Sequence, residues 1–199
     1  MSEAYIADLV QGMRMLRANN EDWHRDKSPG VSFVANRKVM SPRAMVEETV
    51  ALTQQACTVH EGVQLKYSVS GSIASKVDLD LCVQRMLMNL LTNACKHTRQ
   101  GIIQVSVQLA CSASQNFVPA STLPLLEFEV SDTGCGVEEK EEIFAPFVSH
   151  SGGIGLGLFL VKSQSEAMGG MCGVLDKAGG GSVFYFRGAR VHCHLELLM

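Results

Sequence analysis

The chain has 199 residues, 46% of them hydrophobic and 19% charged, which is enough for one sizeable core and too apolar for a disordered chain. The formal net charge of −3 argues against nucleic acid as the main partner, and no apolar run approaches the roughly eighteen residues that cross a bilayer. The opening MSEAYIADLV lacks the basic segment and apolar stretch of a secretory signal, so a soluble, cytoplasmic protein is expected. Seven cysteines (Cys57, Cys82, Cys95, Cys111, Cys135, Cys172 and Cys193) include no CxxC pair, and they read as reduced thiols behaving as small hydrophobes.

Residues 3–18 place Ile6, Leu9, Val10, Met13 and Leu16 at helical spacing, and the turn Ser28-Pro29-Gly30 follows. Residues 31–39 predict a short strand. Ser41-Pro42 opens a second helix whose apolar positions are Met45, Val46, Val50, Leu52, Thr53 and Ala56. Residues 63–70 alternate as a half-buried strand, and Asp78 is the expected cap of a helix beginning near Leu79. In that helix Val83, Met86, Leu87, Leu90, Leu91 and Ala94 repeat at three and four, giving one broad apolar face.

Residues 102–109 and 125–132 predict two strands joined by a long, proline-bearing connection, as a hairpin. A short helix is expected over 138–144. A glycine loop then enters a helix that stops at Gly169-Gly170, and two strands around the turn AGGGS complete the series. Three organisational units are expected: an N-terminal helical segment and linker over 1–38, one domain over 39–190, and a tail over 191–199. Helices against a hairpin sheet make a two-layer α/β sandwich, in the α+β class, with a mixed but mostly antiparallel sheet covered by helices on one face.

Three stretches carry chemistry. In NLLTNACKHT (89–98), Asn89, Asn93 and His97 stand one turn apart on the edge of the apolar face, with Lys96 beside them. Carboxamides there either tie down neighbouring backbone or offer hard oxygen ligands for Mg²⁺, and a lysine suits phosphate. DTGCGV (132–137) puts an acid at a strand end before two glycines, a turn where backbone can approach a ligand and Asp132 can accept from an amine. In SGGIGLGLFLVKS (151–163), Gly153, Gly155 and Gly157 lead into a helix whose free amides favour phosphate; the spacing fits neither a Walker loop nor a dinucleotide fingerprint.

Taken in order, the NxxxNAxKH helix, the strand ending DxGxG, the aromatic pair in IFAPF and the GxGLGL loop before a helix resemble the ATP-binding domain of the GHKL superfamily. That superfamily includes histidine kinases, type II topoisomerases, MutL-type repair proteins and the ninety-kilodalton heat-shock chaperones. The resemblance runs from about Ser41 to Phe186 and is greatest to the catalytic domain of sensor histidine kinases. It implies a Bergerat-type ATP-binding fold, ATP with Mg²⁺ as ligands, and transfer of the γ-phosphoryl group to a histidine.

The resemblance also implies roles. Asn93 would hold Mg²⁺ across the phosphates, Lys96 would neutralise phosphate charge, and His97 would pack by the nucleotide. Asp132 would accept the adenine amine, with Gly134 and Gly136 letting the purine lie close. Phe144 and Phe147 would anchor the base of an ATP lid. Gly153, Gly155 and Gly157, with Leu156 and Leu158 between and after them, would bring amides to the phosphates. Ser182 resembles the small hydroxyl residue of the adenine pocket. At Asn89 the superfamily's ATPases resemble one another in carrying a glutamate that activates water; a carboxamide cannot act as a base, which favours a kinase over a hydrolase.

Two features depart from the sensor-kinase pattern. The lid between Phe147 and Gly153 is only VSHSG, and no histidine occurs in the helix at 3–18, while His24 lacks an H-E-like setting. Residues 3–24 then read as the second helix of a dimerisation hairpin whose acceptor helix lies elsewhere, or the protein is a degenerate relative. The expected partners are ATP, a phosphoacceptor domain or response-regulator-like receiver, and a second copy through the N-terminal helix. The alternatives are a non-catalytic nucleotide-sensing module and a serine kinase of the same fold.

Overall fold

The computed structural model describes residues 37–73, 77–110, 125–148 and 154–190. The predicted helix at 3–18, most of the strand at 31–39, the polar connection at 111–124 and Gly153 lie outside the described residues.

Strand β1 (Arg37–Met40) leads into helix α1 (Pro42–Ala56), where Ser41 Oγ accepts the Ala44 N–H at 3.4 Å and Pro42 occupies the first turn. The buried face of α1 is Met45, Val46, Thr49, Val50 and Thr53. Leu52 and Ala56, expected on that face, point to solvent, whereas Thr53 lies there as expected and Thr49 joins it. Thr49 and Thr53 enter the core because each hydroxyl donates to the carbonyl four residues back, Met45 at 2.7 Å and Thr49 at 2.8 Å.

Strand β2 (Val63–Val69) precedes strand β3 (Val77–Asp80), and helix α2 (Leu81–His97) follows at once. The expectation of an Asp78 cap is overturned. Asp78 lies within β3, which pairs antiparallel with β1 in the register Val39↔Asp78, and the helix starts two residues later than predicted. The alternation Val77, Leu79 is the strand signal, since both side chains are buried.

Strands β4 (Gly101–Leu109), β5 (Leu125–Ser131), β6 (Cys172–Asp176) and β7 (Ser182–Arg190) complete a five-stranded sheet of order β2-β4-β5-β7-β6. β2 and β4 are parallel, joined by a crossover through α2, and every other pair is antiparallel. Helix α3 (Gly157–Ala167) ends in a Schellman arrangement: Gly170 N–H donates to Ser165 and Gly169 N–H to Glu166, each at 2.9 Å, with Gly169 in the left-handed region.

Residues 138–144 form turns rather than the expected helix. Glu138, Glu141 and Glu142 would stack like charges at three and four, and one or two turns have no length to offset that cost. Lys140, the only cation there, is drawn away to an ion pair with Asp176 at the end of β6.

The helices cover one face of the sheet. Met86, Leu87, Leu90 and Leu91 of α2 lie at the centre, with Val46 of α1 and Val161 of α3 beside them. From the sheet come Ile103, Val105, Leu126, Phe128, Val130 and Phe186, and the rings of the paired Phe128 and Phe186 stack with centroids 4.9 Å apart. The opposite face is polar: Ser106 donates to Glu129, Gln108 to Glu127, and Arg187 pairs with Glu127 while lying over the Tyr185 ring. This is the two-layer sandwich expected from sequence.

Candidate functional site

The C-terminal half of α2, the end of β5 and the start of α3 meet at one end of the sandwich. Asn89, Asn93 and His97 stand one above another on α2. The first two are half-buried, whereas His97 and Lys96 are exposed in its last turn.

Asn89 is committed to structure: its Nδ2 donates to the Gly157 carbonyl, 3.4 Å away, at the first residue of α3. No hydrogen bond ties the Asn93 carboxamide to another described residue, one turn further along. Its oxygen is a hard donor of the kind Mg²⁺ prefers. Among the described residues no cluster of three His, Cys, Asp or Glu side chains is placed to hold a metal. A single carboxamide fits a Mg²⁺ that takes its remaining ligands from phosphate and water.

Asp132 follows β5 and is 4% exposed. Its Oδ1 accepts the Gly134 N–H at 2.8 Å, closing a tight turn, and its own N–H donates to the Ser182 carbonyl at 2.9 Å. Gly134 must be glycine for reasons of space: a Cβ there would collide with the carbonyl of His97 at the end of α2. Thr133 fixes the same junction from the other side, donating to the Gln100 carbonyl at 3.1 Å and accepting the Ile102 N–H at 3.0 Å. Gly136, at positive φ, continues the turn, and Cys135 between the glycines is exposed. Ser182 is buried at the start of β7.

Helix α3 begins without a side-chain cap at Leu156 and without an acidic residue in its first turn. Its free N–H groups are therefore left to solvent or a ligand, with the positive end of the helix dipole behind them. Leu156 is buried and Leu158 packs against the core, so what this segment offers a ligand is main chain. Gly155 has φ +74°, and a Cβ on it would stand 2.6 Å from the Phe147 carbonyl carbon. Phe147 N–H donates to the Gly155 carbonyl at 2.9 Å, which joins the two ends of the 148–154 segment. Phe147 itself has φ 65° and is 64% exposed, while Phe144 is half-buried.

Of the residues singled out from sequence, Asn89, Asn93, Asp132, Gly134, Gly155, Gly157 and Ser182 are thus drawn to one end of the fold by direct contacts or by neighbouring turns of one helix. Thr133 and Thr98 were missed. Thr98 is fully buried just after α2, its hydroxyl without a partner among the described residues, and only its place at the end of the NLLTNACKHT stretch hinted at it.

A model of the family described as histidine kinase-, DNA gyrase B-, and HSP90-like ATPase matches residues 79–191, more than half of the chain and all of the segments just described. The chain belongs to this family. Among its curated relatives, the autoinducer 2 sensor kinase/phosphatase LuxQ of Vibrio vulnificus is 35% identical over 133 residues, 59% of this chain and 15% of that protein. Two-component system protein A of Emericella nidulans is 30% identical over 193 residues, 90% of this chain and 27% of that protein. The chain therefore spans well under a third of the length of either relative.

The full-length structure of ShkA in complex with AMPPNP superposes with a TM-score of 0.67 at 25% identity, covering 96% of this chain and 40% of that one. The catalytic domain of histidine kinase ThkA, at 20% identity and a TM-score of 0.60, shares the fold; 78% of this chain and 98% of that one are covered. The chain is an ATP-binding catalytic domain of the sensor histidine kinase type.

Proposed function

We propose that this domain binds ATP with Mg²⁺ at the end of the sandwich where α2, β5 and α3 meet, and directs the γ-phosphoryl group to a histidine presented by a partner or by another segment of its parent protein. The observation that carries the reading is the uncapped start of α3, bonded to Asn89 one turn before Asn93. An anion-binding helix end and a hard oxygen donor are thereby held side by side.

The residues divide the work. The Asn93 oxygen would hold Mg²⁺, which when bound neutralises charge on the transferring phosphoryl group. Lys96, exposed in the last turn of α2, reaches toward phosphate as a mobile point charge, and the main-chain amides from Gly155 to Leu158 bind phosphate oxygens. Asp132, with Oδ1 held by Gly134, presents its other oxygen to the amine of adenine, while Gly134, Gly136 and Ser182 leave room for the base. His97 flanks the nucleotide from its exposed position. Asn89 supplies no general base; it holds α3 in place, which suits transfer to a histidine nucleophile better than attack by water. The site works in the cytoplasm, where ATP is available.

Calorimetry with Mg²⁺-ATP tests the site. The unaltered protein binds, and Asn93→Asp and Asp132→Asn each abolish binding; wild-type affinity in both variants would reject the assignment. Transfer is tested by adding a dimerisation hairpin bearing a histidine, with labelled ATP. An acid-labile phosphoprotein is expected, and an acid-stable one would point to serine instead.

A further inference from the structure

The turn between β6 and β7 does more than connect strands. Asp132 is held by one side-chain oxygen through Gly134 and by its N–H through the Ser182 carbonyl, and its main-chain carbonyl accepts from the Nζ of Lys177 at 3.3 Å, which leaves the second carboxylate oxygen for a ligand. Lys177 is half-buried, and its own main chain closes the glycine turn: Gly180 N–H donates to its carbonyl at 3.0 Å and its N–H to Gly181 at 3.3 Å. Gly181 packs so closely on the Asp132 carbonyl that a Cβ there would collide with it. The neighbouring residue, Asp176, pairs with Lys140 across the 138–147 turns.

From this arrangement we infer that Lys177 is a positioning residue for base recognition, its ammonium holding the peptide of Asp132 so that the carboxylate faces the purine amine. The inference rests on the proposed reading of Asp132 as the group that accepts that amine. An ammonium bonded to a carbonyl is a charge-assisted contact, and a partly buried one resists exchange with water. Without it, the Asp132 carbonyl is left against glycine and the peptide can rotate, taking the carboxylate with it. Lys140–Asp176 holds the same hairpin at a more exposed point without touching Asp132.

The experiment measures binding of ATP and of inosine triphosphate, which lacks the purine amine, to the full chain and to Lys177→Met, Lys177→Arg and Lys140→Met. The unaltered protein prefers ATP. Lys177→Met is expected to lose about fivefold in ATP affinity with little change for inosine triphosphate, the size of one hydrogen bond. Lys177→Arg restores the preference, and Lys140→Met leaves the ratio unchanged even where it lowers the melting temperature. A ratio unmoved by Lys177→Met, or equal losses for both nucleotides, overturns the inference about Lys177 alone. An unaltered protein that binds both nucleotides equally overturns the Asp132 reading, and the inference with it.

Discussion

The side-chain amide of Asn89 reaches across 68 residues of sequence to the carbonyl of Gly157, joining α2 to the first residue of α3 at 3.4 Å. The bond is long, so its worth lies at the low end for a hydrogen bond, but it sits where the anion-binding amides begin. Asn89→Ala is expected to cost about 0.5–1 kcal/mol of stability in urea titration. The same variant should weaken Mg²⁺-ATP binding in calorimetry by more than that loss. Asn89→Asp, which removes the donor and sets a carboxylate against a carbonyl, should be worse in both measurements. Equal nucleotide affinity in all three proteins would show that α3 is held by other means.

The stacked pair Phe128–Phe186 lies at the centre of the sheet's inner face, both rings fully buried. Phe128→Ala is expected to destabilise by about 3–5 kcal/mol, from lost transfer energy and the cavity left behind. Phe128→Leu should retain most of the stability. Thermal melts followed by circular dichroism separate the two, and a small loss for the alanine variant would mean that the surrounding side chains collapse into the gap.

Thr98 carries a buried hydroxyl with no partner among the described residues. Thr98→Val keeps the shape and removes the unsatisfied group, so it should be neutral or stabilising, by up to about 1 kcal/mol. A loss greater than that in the same melts would reveal a bound water or another partner for Oγ1.

Burial raises the thiols of Cys95 and Cys172 from the ordinary value of 9.0 to about 11, with Cys57 and Glu166 adding to the respective shifts. The folded state keeps these protons where the unfolded chain releases them. Their contribution is therefore complete below about pH 9 and is lost as pH rises toward 11. Urea midpoints should fall across that interval, and Cys95→Ala should flatten the fall. At pH 8 an aromatic disulfide reagent should modify exposed Cys135 well before Cys95 or Cys172. Mg²⁺-ATP should slow the Cys135 reaction, and labelling unaffected by saturating nucleotide would place the ligand elsewhere.

What the sequence disclosed followed period and local chemistry. All six residues that the three-and-four spacing from Val83 to Ala94 picked out are buried on α2, with Cys82 and Cys95 beside them, because a single amphipathic helix needs no knowledge of its neighbours. Asp78 misled for the opposite reason. An acid before an apolar run looks like a cap, and only pairing with β1, whose sequence lies some forty residues away, makes it a strand residue. The acidic run at 138–144 is made of good helix formers, yet like charges and an ion pair to a distant hairpin decided its form. In the candidate site, the order of the motifs pointed to the family, but Asn89's bond to Gly157 and Lys177's to Asp132 depend on tertiary approach, and no local pattern announces either.

The strand order has a colloidal consequence. Among the described residues β2 and β6 form the margins of the sheet, and each presents a row of main-chain groups to which another strand can pair. β2 carries Lys66 at mid-strand. β6 is five residues long, contains Gly173, and ends at an aspartate committed to Lys140. A charged margin on one side and a short, glycine-broken one on the other offer poor templates for edge-to-edge growth, and self-association is left to other surfaces of the chain.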